Sequence, residues 1–232
     1  MKFSLVIPCY NEAANLPLLL ERCKLLAAKS DVEVLLVDNG STDATAAVLK
    51  KLLPKFKGCR SIHVEKNQGY GFGIISGLKA ANGEILGWTH ADMQTDPLDA
   101  LLGLELFEKY GDEIFVKGRR YGRPFMDVVF TAGMSVFETI LLVRPMWDIN
   151  AQPTMFSRKF FETWTAPPDD FALDLYAYYL ARSRGLNVHR FSVKFGERAH
   201  GISHWNINWA AKRKFIRRTI DYSIQLKKNL RR

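Results

Sequence analysis

EILGWTHADMQTDP, residues 84–97, joins a short apolar run to a loop crowded with polar side chains. The apolar run predicts a strand that ends where the polar residues begin. In an extended chain His90, Asp92 and Gln94, spaced two apart, would project from one face. An imidazole, a carboxylate and an amide at one point indicate a metal or phosphate site, although the closing Asp-Pro is also typical of an ordinary turn.

The same order of strand and polar loop occurs twice earlier in the chain. SLVIP (4–8) leads into CYNE, and VEVLLVD (32–38) leads into DNGSTD, with a helical pattern between them. Strands that alternate with helices predict an α/β fold with a mainly parallel sheet. Ligands of such sheets bind beyond the carboxyl ends of the strands, so we expect the three polar loops to share one rim. The other predicted elements are strands at 61–65, 113–118, 152–156 and 186–193 and helices at 12–29, 43–53, 70–81, 125–142 and 171–184.

The composition is that of a globular protein rather than a disulfide-rich or membrane-spanning one. Hydrophobic residues make up 47% of the 232 residues, and three cysteines without CxxC spacing predict reduced thiols in the cytosol. The N-terminal apolar run is too short for a signal peptide. The longest apolar stretch, 125–143, is interrupted by Asp127 and Glu138, so we expect a partly buried helix there rather than one in contact with lipid.

The positive charge is concentrated at the C-terminus. The net charge is +9, and residues 206–232 contain nine Lys or Arg and one acid, which leaves about +1 for the rest. This distribution disfavours a nucleic-acid-binding protein. Trp205, Trp209, Ile216, Ile220 and Ile224 fall near one side of a predicted basic amphipathic helix. Such a helix could bind an anionic membrane surface or pack on the domain with a solvated basic face, and both alternatives stay open.

Four segments together resemble glycosyltransferase family 2. They are VIPCYNEAANL, VDNGSTDAT, NQGYGFGIISGLKAANGEILGWTHADMQTDP and ERAHGIS, and the nearest branch resembles bacterial polyprenyl-phosphate (dolichol-phosphate-type) sugar transferases. The resemblance implies a GT-A, Rossmann-like fold, with a mostly parallel central sheet flanked by helices. It also implies inverting transfer from a nucleotide-diphosphate sugar with Mn²⁺ or Mg²⁺. We expect a catalytic domain at 1–205 and the C-terminal helix at 206–232.

The resemblance assigns the donor side residue by residue. It implies a nucleotide-sugar site formed by Pro8, Tyr10, Glu12, Asp38, Asn39, His90, Asp92, Gln94, Arg198, Ser203 and His204. Within this set Asp92, Gln94 and His90 are the candidate metal ligands, and Asp92 and Arg198 would stabilise the departing diphosphate. Asn39 and His90 stand where the family commonly has aspartates, and His204 stands where a lysine is frequent.

The acceptor side is less determined. The segment Gly-Arg-Arg-Tyr at 118–121 resembles a phosphate-binding segment of lipid-phosphate transferases, but Thr131 stands where that branch often has an arginine. The candidate acceptor-binding residues are Arg119, Arg120, Arg123, Ser135, Asp148 and Gln152.

Two alternatives to a polyprenyl phosphate acceptor stay open. A sugar hydroxyl in cell-envelope polysaccharide or lipopolysaccharide synthesis would need a base, and Asp174 lies where the family often places one. Alternatively, Asp174 lies on the exposed side of a helix and has no catalytic role. A protein that binds sugar nucleotides without catalysis is a further alternative. For either enzyme we expect a cytoplasmic location at the membrane face, and the oligomeric state stays open.

Overall fold

The computed structural model describes residues 2–29, 31–200 and 209–229. Its strands are β1 (Phe3–Cys9), β2 (Val32–Asn39), β3 (Cys59–Val64), β4 (Ile85–Trp88), β5 (Ile114–Tyr121), β6 (Thr154–Ser157) and β7 (Asn187–Lys194). Its helices are α1 (Leu16–Ala27), α2 (Thr45–Leu52), α3 (Tyr70–Ala80), α4 (Asp99–Tyr110), α5 (Phe125–Leu142), α6 (Arg158–Phe161), α7 (Leu173–Ser183) and α8 (Trp209–Asn229).

The seven strands form one sheet in the order β3-β2-β1-β4-β6-β5-β7. The first half is parallel throughout, since β1 pairs with β2 and β4 and β2 pairs with β3 in the same direction. β6 runs antiparallel to both of its neighbours, and β5 and β7 are parallel. The predicted mainly parallel α/β sheet is therefore confirmed, and the reversed direction of β6 is a feature that the pattern did not predict.

Each face of the sheet carries its own apolar core. Alternate residues of β1 point to opposite faces, so Val6 joins one cluster and Leu5 and Ile7 join the other. Gly77 of α3 permits close packing on β1, because a Cβ added there would lie 2.3 Å from Val6 Cγ1. This double covering leaves the ends of the strands as the exposed edges of the sheet.

The polar loops after β1, β2 and β4 lie on one rim, as expected. The Asn11 side-chain oxygen accepts the backbone N–H of Thr42 at 2.8 Å, and the backbone N–H of Asn11 donates to the Ser41 hydroxyl at 3.1 Å. Behind them the backbone N–H of Glu12 donates to the Thr45 hydroxyl at 2.9 Å. The first two loops are thus tied together above the sheet.

α5 is the partly buried helix that the sequence predicts. Ser135, Glu138 and Leu142 are buried, and the side of the helix that faces away from the domain is exposed. Its length and apolar composition are sufficient for a membrane span, and among the described helices it alone meets that test. The two acids do not lie on its exposed side, so its outer surface is almost wholly apolar.

α8 packs on the domain through its second half. Ser223 donates a hydrogen bond to Glu138 of α5 at 2.7 Å, and Leu226 is buried. Arg218 also forms an ion pair with Asp170. These contacts agree with the alternative in which the helix packs on the domain. Ser203, His204 and Trp205 lie outside the described residues.

Candidate active site

The loop after β2 forms the inner part of the rim. Asp38 is buried, its Oδ1 accepts the backbone N–H of Ser41, and its Oδ2 lies 3.0 Å from His63 Nδ1. Asn39 instead points under the rim, where its amide donates to the carbonyl oxygen of Gly69 at 2.9 Å. Asp38 is therefore held at the rim, with the exposed imidazole of His63 beside it. His63 was not among the predicted site residues.

The loop after β1 contributes an exposed ring and a half-buried carboxyl group. Pro8 is half-buried at the end of β1, Tyr10 is exposed, and Glu12 accepts a hydrogen bond from the Asn15 amide at 2.5 Å. Burial raises the pKa of Glu12, an effect that Asn15 opposes and the nearby Asp92 reinforces. The predicted residues of this loop thus lie on the same rim as Asp92.

Asp92 and Arg198 form the central ion pair of the rim. Asp92 is buried, and its Oδ2 lies 2.9 Å from Arg198 Nη2. Its Oδ1 accepts the backbone N–H of Gln94 at 3.1 Å, which fixes the carboxylate in a tight turn. Arg198 Nε is buried and has no hydrogen-bond partner among the described residues, so this guanidinium has donor capacity left for an anion. The structure thereby joins two residues that are 106 positions apart.

His90 and Gln94 do not converge on the same point as Asp92. Met93 has a left-handed backbone with φ of 61°, so the chain is not extended here and the expected single face is absent. The His90 ring stacks on Tyr70 at 5.6 Å between centroids, and the Gln94 amide donates to the Gly196 carbonyl at 3.3 Å. The prediction that the side chains of His90, Asp92 and Gln94 project from one face was therefore wrong.

The ligand set suits a cation that is shared with a bound phosphate. No group of three or more His, Cys, Asp or Glu side chains that could hold a metal occurs among the described residues. A hard divalent cation is often held by one or two carboxylates together with substrate phosphates. Asp92 fits that arrangement as the main protein ligand, and the unpartnered Nε of Arg198 fits a diphosphate beside it.

A second cluster joins the end of β5 to the loop after α5. The Arg120 backbone N–H and Nε donate to Asp148 at 3.1 and 2.9 Å, and Arg120 Nη2 also contacts that carboxylate. Arg123 Nη1 lies 3.7 Å from the same carboxylate. Burial alone would raise the pKa of Asp148, but the Arg120 guanidinium lowers it below its ordinary value. Two guanidinium groups share the Asp148 carboxylate, and the Asp127 carboxylate also interacts electrostatically with Arg123.

The predicted acceptor residues Ser135 and Arg119 have different positions relative to this cluster. Ser135 belongs to it, because its hydroxyl accepts the backbone N–H of Asp148 at 3.1 Å. Arg119 is on the opposite face of β5 and donates to Ser192 at 3.1 Å. The structure therefore does not bring Arg119 to the cluster. Arg123 donates to the hydroxyl of Thr131 at 2.7 Å, so its guanidinium lies next to the position where related sequences often have an arginine.

Asp174 is buried, which rules out its interpretation as an exposed helix residue. Gln152 donates to Asp174 Oδ1 at 2.6 Å, and Lys117 Nζ lies 3.8 Å from the same atom. Burial raises the pKa of Asp174, and Lys117 opposes that effect. Burial also lowers the pKa of Lys117 to about 7, and its ammonium donates to Thr154 at 2.6 Å. Lys117 was not predicted, because nothing in its short strand sequence distinguishes a buried lysine from an exposed one.

A small pocket of about 60 Å³ opens beside the arginine cluster. Arg120 lies at one side of it, and α5 supplies four of the other lining residues. The other lining residues are Phe130, Thr131, Met134, Ser135, Ile149, Asn150, Phe171, Ala172, Leu175 and Thr219. Apart from the guanidinium group the lining is largely apolar and carries no other charge. The pocket suits a ligand with an anionic group at one end and an apolar body.

A covered, mostly parallel sheet with charged side chains at the carboxyl ends of its strands is the arrangement in which α/β proteins bind their ligands. Residues 4–165, more than half of the chain, match Glycosyl transferase family 2. The chain belongs to this family, and it is a glycosyltransferase with the GT-A fold.

Curated relatives match a shorter part of the chain. The undecaprenyl-phosphate 4-deoxy-4-formamido-L-arabinose transferase of Photorhabdus laumondii is 38% identical over 101 residues, and that of Enterobacter sp. is 37% identical over 102 residues. Each alignment covers 41% of this chain and 30% of the relative. The matched region therefore spans less than a third of these relatives.

Solved structures share the fold over nearly the whole chain. Glucosyl-3-phosphoglycerate synthase from Mycobacterium tuberculosis, in complex with Mn²⁺, UDP and glucosyl-3-phosphoglycerate, superposes with a TM-score of 0.72 at 20% identity. That match covers 97% of this chain and 80% of the other. A mannosyltransferase from Pyrobaculum calidifontis, in complex with GDP-Man and Mn²⁺, gives 0.65 at 20% identity over 93% of this chain and 64% of the other. At such identity the likeness establishes the fold alone.

Proposed function

We propose that this glycosyltransferase is inverting and moves a sugar from a nucleotide-diphosphate sugar to a polyprenyl phosphate at the cytoplasmic face of a membrane. The observation that carries the proposal is the pair of guanidinium groups, Arg120 and Arg123, beside a largely apolar pocket. A phosphate joined to a hydrocarbon chain matches both parts of that site. The relatives named for transfer to undecaprenyl phosphate support the same class of acceptor.

The donor would occupy the rim formed by the loops after β1, β2 and β4. Asp38 lies at its inner end, where its carboxylate could accept hydrogen bonds from a base. Arg198 would turn its free donor to the diphosphate, and Asp92 would hold Mn²⁺ or Mg²⁺ with Gln94 as a neutral neighbour. Such a cation neutralises the charge that develops on the leaving diphosphate. Structural neighbours crystallised with Mn²⁺ and a nucleotide support a divalent metal.

The acceptor would meet the donor between the two clusters. Arg120 and Arg123 would bind the phosphate that attacks the sugar, and Ser135 and Asp148 would hold those guanidinium groups in place. A phosphate is ionised at neutral pH, so this reaction needs no strong general base.

Transfer assays on matched acceptors and variants test the proposal. A panel of nucleotide-diphosphate sugars would be offered with Mn²⁺ or Mg²⁺ and either undecaprenyl phosphate or undecaprenol. We expect product with the phosphate only, and Arg123→Met should raise the KM for the phosphate acceptor by about tenfold or more. Arg119→Met is the matched control, because Arg119 lies on the opposite face of β5. Equal effects of the two substitutions, or equal use of both acceptors, would refute the phosphate site.

The buried carboxyl group of Asp174 supports a second candidate function. In this alternative the sugar is transferred to a sugar hydroxyl in envelope polysaccharide or lipopolysaccharide synthesis. Burial raises the pKa of Asp174 toward the range that suits a general base. Asp174→Asn separates the two acceptors: a hydroxyl acceptor predicts loss of turnover, whereas a phosphate acceptor predicts that most turnover survives. The third alternative, binding without catalysis, fails if the chain hydrolyses a nucleotide sugar in a metal-dependent way that Asp92→Asn removes.

A further inference from the structure

The outward side of α5 carries an apolar stripe that no described part of the chain covers. Phe125, Val129, Val136 and Ile140 recur at intervals of four and seven residues, which places them on one face of the helix. Phe125 and Ile140 are 78% and 72% exposed, values more typical of charged surface residues. Met126 and Val143 lie beside the stripe and are 71% and 70% exposed, so the face is apolar from end to end.

The two acids of α5 lie away from this face. Asp127 is half-buried, and its backbone carbonyl accepts a hydrogen bond from the Arg123 guanidinium. Glu138 is buried and accepts a hydrogen bond from Ser223 of α8. Positive charge flanks the stripe instead, since Arg144 is exposed directly after the helix. α8, which packs against α5, carries the exposed Arg217, whose guanidinium lies 4.0 Å from the Asp221 carboxylate. An apolar surface with an exposed cation at its end is complementary to an anionic bilayer.

We propose that the outward face of α5 lies in the surface of an anionic phospholipid bilayer, with the helix parallel to the membrane plane. At 18 residues α5 is about 27 Å long and could span a bilayer by length alone. A spanning position would separate its inner face from α8 and from the pocket that Thr131 and Ser135 line. The parallel position keeps those contacts and buries only the stripe. This inference deepens the proposed membrane location and requires no particular acceptor.

Flotation with vesicles of phosphatidylglycerol and phosphatidylethanolamine tests the surface directly. Val136→Gln and Ile140→Gln, in the full chain, should each lower the fraction bound by about tenfold, in line with the loss of one buried aliphatic side chain. Leu102→Gln is the matched control, because Leu102 is an exposed leucine on α4. Arg213→Gln with Arg217→Gln tests the C-terminal helix. Binding that is lost in this double variant and unchanged in both α5 variants would overturn the proposal.

Two further measurements keep the result decisive. Trp147, just beyond α5, is 47% exposed, and brominated lipids should quench part of the fluorescence that Trp147→Phe removes. No quenching of that part would refute contact at this end of the helix. Light scattering of the Val136→Gln and Ile140→Gln variants distinguishes a second copy of the chain, because a loss of dimer without a loss of vesicle binding would assign the face to self-association. If the α5 substitutions lower vesicle binding but no prenyl phosphate accepts sugar, the membrane-binding surface is supported and the proposed acceptor is refuted.

Discussion

Replacing Glu138 with glutamine should remove a pH dependence from the stability of the fold. Glu138 is fully buried between α5 and α8, where Ser223 donates to its Oε1 at 2.7 Å. Its Oε2 is buried without a hydrogen-bond partner in the described part of the chain. Burial raises the pKa of this carboxyl from 4.5 to about 7, although the Ser223 hydrogen bond opposes the effect.

The direction of this pH dependence follows from the number of protons bound in the folded and unfolded chain. Between pH 4.5 and about 7 the folded chain keeps a proton on Glu138 that the unfolded chain has lost. The free energy of unfolding therefore falls as the pH rises through this window, and the loss is complete above pH 8. A pKa raised from 4.5 to about 7 corresponds to roughly 3 kcal/mol, at about 1.4 kcal/mol per pKa unit. Glutamine cannot ionise but can still accept the Ser223 hydrogen bond.

Urea unfolding of both proteins at pH 4.5, 6 and 8 measures the difference. We expect Glu138→Gln to match the wild type near pH 4.5 and to exceed it by about 2–3 kcal/mol at pH 8. Subtracting the two curves cancels the titration of all other groups. Glu105→Gln, an exposed carboxyl on α4, should leave the difference flat. A constant difference across this pH range for Glu138→Gln would refute the assignment of a buried, protonated carboxyl.

Four substitutions probe three ion pairs of the candidate site. Lys117→Met leaves the buried Asp174 without its cation and should destabilise the fold by about 3 kcal/mol in urea, whereas adding Asp174→Asn should recover much of that loss. Asp148→Asn removes the carboxylate that orients Arg120, so the acceptor KM should rise more than kcat falls, and equal changes in both would contradict a positioning role. Asp92→Asn should lower metal-dependent turnover about a hundredfold, and retained turnover would exclude Asp92 as a metal ligand.

The local sequence pattern was sufficient to predict the strands and the rim that their polar loops share. β1, β2 and β4 are apolar runs that end in polar loops, and parallel pairing alone brings those loops together. The direction of β6 was not predictable in this way, since a four-residue strand pairs equally well in either direction. Its orientation is decided by its neighbours on both sides, β4 and β5, which are distant in sequence.

Burial and pairing at the site depended on tertiary structure. Lys117 looks like an ordinary strand lysine, and it is buried because β5 lies inside the sheet between β6 and β7. Asp92 and Arg198 are separated by nearly half of the chain, so no spacing rule predicts their ion pair. Gln94 was expected to share a face with Asp92, and the left-handed backbone of Met93 between them turned the loop instead. Each miss concerns where a side chain points rather than which element carries it.

α5 connects the proposed acceptor site to the proposed membrane surface. Its inner face supplies Ser135 and Thr131 to the arginine cluster, and its outer face carries the apolar stripe. A bilayer that covers the stripe would lie one helix diameter, about 10 Å, from the guanidinium groups. That distance is comparable to the depth of the headgroup region, where the phosphate of a membrane-bound lipid acceptor resides. The helix that anchors the enzyme would therefore also set the height at which the acceptor phosphate meets Arg120 and Arg123.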